Sequence, residues 1–80
     1  MAESTAARII TIIAENFDTE DKELSAATDF ESLEFDSLVL VELGVILTRE
    51  FDVEVADEEL ARAGTIGAAA LLVVGKTGSG

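Results

Sequence analysis

The chain has 80 residues, 17 of them acidic and 5 basic, for a formal net charge of −12, and it contains no His, Cys, Trp or Tyr. The charge repels nucleic acid and anionic membrane surfaces. The missing His and Cys remove the usual general base, thiolate nucleophile and soft metal ligands, so self-contained catalysis is not expected.

An apolar content of 49% lies well above the composition of disordered chains, so the acidic surface is expected to coat a single small domain with a modest core. The absence of Cys excludes a disulfide framework. The N-terminal "MAESTAARII" lacks the basic and apolar blocks of a secretory leader, making a cytoplasmic location the default expectation. The apolar run "IGAAALLVV" falls short of the roughly 20 residues that cross a bilayer. A monomer that binds neither nucleic acid nor membrane is expected.

Ala6, Ile9, Ile10, Ile13 and Phe17 follow helical spacing, with Ser4 or Thr5 as N-cap, and predict a first helix. From Asp18 to Phe35 the pattern dissolves into a long loop in which Leu24, Phe30 and Leu33 are the apolar anchors. A loop of that length in a small domain has to be tied down by its own side chains or serve a function. Its acidic run from Asp18 to Glu23 has no Gly at the turning position of a calcium loop and reads as solvated chain.

A second helix is predicted from Asp36 or Ser37 to Phe51, with Asp36 as N-cap. Leu40, Leu43, Leu47 and Phe51 gather on one side, and Leu38, Glu42, Val45 and Arg49 on the other, with Val39 and Val41 on the flanks. That second side is too apolar for an ordinary solvated face. Gly44 on the inner half permits close helix approach or leaves room for a chain, and close packing is the safer reading. Asp52 to Ala56 reads as a connector and "DEEL" as a short helical turn stopped by Gly64. Thr65 caps a last helix with Ile66, Ala69, Ala70 and Val73 facing inward and Gly75 as its stop, so that residues 1–74 form the domain and 75–80 a flexible tail. With no Pro, repeat or strand alternation, the fold class is a small all-α bundle.

Ser37 stands out in "EFDSLVLVEL". It is explicable as part of a helix cap, yet a hydroxyl in the first helical turn, beside unpaired N–H groups and the positive dipole end, also suits a phosphoester. With no His and no Gly-x-Ser-x-Gly elbow, Ser37 is a target for modification by another enzyme rather than a hydrolase nucleophile.

"FDSLVLVEL" resembles the attachment motif of acyl carrier proteins, and the similarity continues through "TREFDVEVADEEL" and "TIGAAALL" and, more loosely, back to "ARIITIIAENF". The resemblance implies a four-helix bundle with a long first loop and a short third helix. It further implies 4′-phosphopantetheine on Ser37, flanked by Asp36 and Leu38, transferred from coenzyme A by a phosphopantetheinyl transferase, with acyl groups held as thioesters on the arm. The implied partners are ketosynthases, acyltransferases and other acyl-transferring or tailoring enzymes, contacted through Leu38, Val41, Glu42 and Val45.

Two departures from the family pattern stand in this chain. Glu34 replaces the Gly that many members carry two residues before the Asp. The acids of the second helix are thinned by Val39, Val45, Thr48 and Arg49, leaving Glu42 and Glu50. That thinning points to a polyketide or related specialised pathway, with primary fatty acid synthesis as the alternative. From another class, the runner-up is an unmodified acidic adaptor that docks a partner helix.

Overall fold

A computed structural model of the protein describes residues 4–17, 19 and 23–77. It contains α1 (Thr5–Asn16), α2 (Ser37–Phe51), α3 (Asp57–Ala63) and α4 (Ile66–Thr77), and the only pairing of strand type among the described residues is an isolated bridge between Asp29 and Thr65. The small all-α bundle expected from periodicity is the observed architecture. The acidic run beginning at Asp18 and the tail residues 78–80 lie largely or wholly outside the described residues.

Local chemistry sets the helix ends. The Ser4 hydroxyl accepts a hydrogen bond from Ala7 N–H at 3.1 Å, and the Thr65 hydroxyl does the same for Ala68 N–H at 3.1 Å. At the start of α3 the Glu59 carboxylate reaches back to Ala56 N–H at 3.0 Å, half of a capping box. Gly64 ends α3 with φ +82°, a conformation that favours Gly. Helix α2 stops at Asp52, which is left-handed at φ 56°.

The core is one cluster fed by every element. Ile9, Ile13, Leu43, Leu47, Leu60, Ile66 and Val73 are fully buried. Each such side chain contributes about 1.5–3 kcal/mol of hydrophobic free energy. Leu40, Leu43 and Leu47 of α2 point inward as the sequence pattern requires, with Phe51 half-buried at the edge. In α1 the buried arc is Ile9, Ile12 and Ile13, rotated from the expected stripe, in which Ala6 and Ile10 are only half-buried. Both arcs satisfy helical spacing, and the packing of α1 along α4 decides which is deeper.

The long loop is anchored. Phe30 and Leu33 are buried and Leu24 half-buried, as expected, and Phe35 joins them. Phe35 lies 5.3 Å from the Phe17 ring and 6.2 Å from the Phe30 ring, the latter pair nearly parallel at 9°. Backbone bonds from Phe30 N–H to Gly64 O at 2.8 Å, Ile66 N–H to Thr28 O at 3.0 Å and Gly67 N–H to Ala26 O at 2.8 Å stitch the loop to the α3–α4 junction. A side chain at Gly67 would meet Ala26 O at 2.9 Å, so this stitching needs a glycine.

One boundary differs from expectation. Gly75 does not stop α4, which continues to Thr77. The Lys76 ammonium sits 2.9 Å from the Glu59 carboxylate of α3, and the Thr77 hydroxyl donates to Val74 O at 2.9 Å. An interior Gly costs a helix only about 1 kcal/mol, and these contacts offset part of it.

Candidate attachment site on the second helix

Ser37 is the first residue of α2 and is exposed. It is placed there by Asp36, whose side-chain Oδ1 accepts from Val39 N–H at 3.0 Å while its backbone oxygen accepts from Leu40 N–H at 3.0 Å. Asp36 is therefore the cap itself. The N–H groups of Ser37 and Leu38 have no acceptor within the helix. An anion carried on the Ser37 oxygen would meet those N–H groups and the positive end of the helix.

The turn that leads into this helix has an unusual residue at its tightest point. Glu34 lies at φ 61°, the left-handed region, and its N–H is bonded to Glu31 O at 2.9 Å. The loop therefore takes a glycine-compatible bend even though the side chain is Glu.

Beyond Ser37 the outward side of α2 carries Leu38, Val41 and Val45, which are 77%, 45% and 50% exposed, together with exposed Glu42 and Arg49. The structure thus gathers Leu38, Val41, Glu42 and Val45 on one accessible surface adjoining the Ser37 hydroxyl. Val41, Val45 and Arg49 also form one wall of an open groove of about 350 Å³, whose other wall is the chain from Glu54 to Asp57.

Two residues counted by sequence among the outward side chains of α2 have other duties. The half-buried Thr48 hydroxyl donates to Gly44 O at 2.7 Å and accepts from Val55 N–H at 3.0 Å, bracing the connector to α3. Glu50 pairs with the Arg8 guanidinium at 3.1 Å, and the same guanidinium lies 4.6 Å from the centre of the Phe51 ring. Of the two acids left on this helix, Glu42 stands beside Leu38 and Val45, while Glu50, also exposed, pairs with Arg8 of α1.

A second open groove of about 380 Å³ was not foreseen. It is lined by Asp29, Phe30, Glu31, Phe35, Leu40, Ala61, Gly64 and Thr65. The sequence did hold a signal for part of it. Phe35 and Leu40 occupy the positions on either side of the Asp36 cap at which a hydrophobic staple forms.

The phosphopantetheine attachment site family matches the chain over residues 7–73. The chain belongs to that family. Its fold is that of an acyl carrier protein: a crystal structure of the acyl carrier protein from Thermotoga maritima superposes with a TM-score of 0.73, at 22% identity, covering 91% of this chain and 86% of that one. Members of the family are carriers rather than catalysts, and their attachment domain bears covalent 4′-phosphopantetheine. The exposed hydroxyl, the free helix-terminal N–H groups and the open surroundings of Ser37 are compatible with such a group.

Proposed function

We propose that Ser37 is the attachment point, and that the protein holds acyl groups as thioesters on the 4′-phosphopantetheine arm and presents them to biosynthetic enzymes. The observation that carries this reading is the placement of an exposed Ser hydroxyl at the first position of α2, within a chain matched to the attachment family. When bound, the arm supplies a terminal thiol that exchanges acyl groups. The protein's own residues do the rest. Asp36 fixes the helix start and the Ser37 and Leu38 N–H groups face the phosphate, while Leu38, Val41 and Val45 supply short-range contact to partners and Glu42 pairs with a basic partner side chain.

The partners in this proposal are a phosphopantetheinyl transferase and acyl-handling enzymes of the ketosynthase and acyltransferase kind. The −12 charge steers their basic surfaces toward the carrier, and the small contact patch keeps each encounter short. A specialised pathway of polyketide type fits an outward helix surface whose acids are thinned to Glu42 and Glu50 while Leu38, Val41 and Val45 stand open.

The test is intact mass after incubation with coenzyme A, magnesium and a broad-specificity phosphopantetheinyl transferase. One phosphopantetheine addition, absent from Ser37→Ala, is the expected result. A folded wild type that gains no mass would leave an unmodified acidic adaptor as the better description.

A further inference from the structure

The acids of this chain are confined to one part of it. Sixteen of the 17 lie between Glu15 and Glu59, the other is Glu3, and residues 4–14 and 60–80 contain none, although they hold Arg8, Arg62 and Lys76. The fold brings the two acid-free stretches together, because α1 packs along α4 while α2 packs on α3. On this side Ala14, Leu71 and Gly75 are exposed and uncharged, Leu71 by 75%. Arg8 and Lys76 at its borders are engaged by Glu50 and Glu59. The α1–α4 side is therefore close to neutral in a molecule of net charge −12.

Ser37 stands in the opposite electrostatic setting. Glu31, Glu34, Asp36 and Glu42, all within six residues of it, are exposed. A charge of −12 spread evenly would draw a basic partner onto any side of the carrier. A partner seated on the α1–α4 side would leave Ser37 outside the contact, and the complex would be occupied without being able to react. Selectivity between a right and a wrong arrangement rests on the difference of their free energies, so withholding attraction from the wrong side is as effective as adding it to the right one.

We propose, on the footing of the carrier reading, that the acid-free α1–α4 side is a non-docking side. By offering a Lys- and Arg-rich enzyme surface nothing to pair with, it restricts such partners to the acidic side that carries Ser37 and keeps the carrier out of unproductive complexes.

Ala14→Glu/Leu71→Glu/Gly75→Glu places three negative charges on exposed positions of that side. The variant and the wild type are compared as substrates of a phosphopantetheinyl transferase whose docking surface is basic, with initial rates measured over a range of apo carrier concentrations at low salt. A wild type that gains no mass fails the carrier reading itself and is recognised before any kinetics. Wrong-way complexes compete with productive ones, so kcat and KM are expected to fall together in the variant, by about threefold or more, with kcat/KM nearly unchanged. The difference should disappear in roughly 0.5 M salt, where the screening length shrinks to a few ångströms. A fall in KM with kcat held would mean that added charge helps wherever it is placed. That result, a rise in KM or unchanged kinetics would overturn the proposal. Thermal melts check that the variant is folded, and Ala14→Glu/Gly75→Glu, which spares Leu71, repeats the measurement if it is not.

Discussion

Gly44 has no side chain where the backbone of Val55 crosses α2, and a methyl group built there would stand 2.7 Å from the Val55 carbonyl oxygen. The obstructing atom is backbone, so the clash can be relieved only by moving the whole connector between α2 and α3. Gly44→Ala gains about 1 kcal/mol of helix propensity. The steric cost is larger, so we expect a net loss of about 1–2 kcal/mol and a lower midpoint in urea unfolding. A stabilised Gly44→Ala protein would contradict this packing.

Thr48 supports the same crossing from the other side. Its hydroxyl bridges Gly44 O and Val55 N–H, so Thr48→Val keeps the shape of the side chain but leaves a part-buried N–H without its acceptor. The expected cost is about 1–3 kcal/mol. Faster hydrogen exchange at Val55 in Thr48→Val, measured by NMR, checks that the loss is local to the connector.

Glu34 holds a left-handed backbone at φ 61°. That conformation costs a non-Gly residue about 1 kcal/mol, part of which is returned as entropy lost by an unfolded glycine. Glu34→Gly should therefore be neutral or stabilising by up to about 1 kcal/mol, whereas β-branched Glu34→Val should destabilise by more than 1 kcal/mol. Thermal melts of the pair report the sign directly.

Glu59 gives the fold a pH dependence in the acid range. Its carboxyl is held below the ordinary value, first by the Ala56 N–H and then by the Lys76 ammonium. A lowered folded-state value means that the charged form is favoured by folding. The stabilisation is then complete above the unfolded value of 4.5 and is lost as pH falls through the lower folded one. Glu59→Gln should flatten that acid limb, and Lys76→Met should raise the Glu59 titration midpoint observed by carboxyl-carbon NMR. A midpoint unmoved by Lys76→Met would remove the ion pair from this account.

What the sequence by itself determined were features decided within a few residues of each other. The stripes of α2 and α4, the caps at Ser4, Asp36 and Thr65 and the stop at Gly64 depend on spacings of one helical turn. So does the position of Ser37 at the start of α2, where a hydroxyl suits a phosphoester, whereas its role as candidate attachment residue came from the resemblance of the surrounding motif to acyl carrier proteins. Tertiary structure decided what distant segments do to one another. Arg8 and Glu50 pair across 42 positions, which turned an outward acid of α2 into a tie to α1. Lys76 reaches Glu59 and the helix runs past Gly75, Val55 settles against Gly44 and Thr48, and the loop at Phe35 meets α3 to form a groove. The physical reason is common to all of these. Helical periodicity states which way a side chain points, but only packing of the buried faces brings another segment into its reach, and close approach, hydrogen bonding and ion pairing all require that proximity.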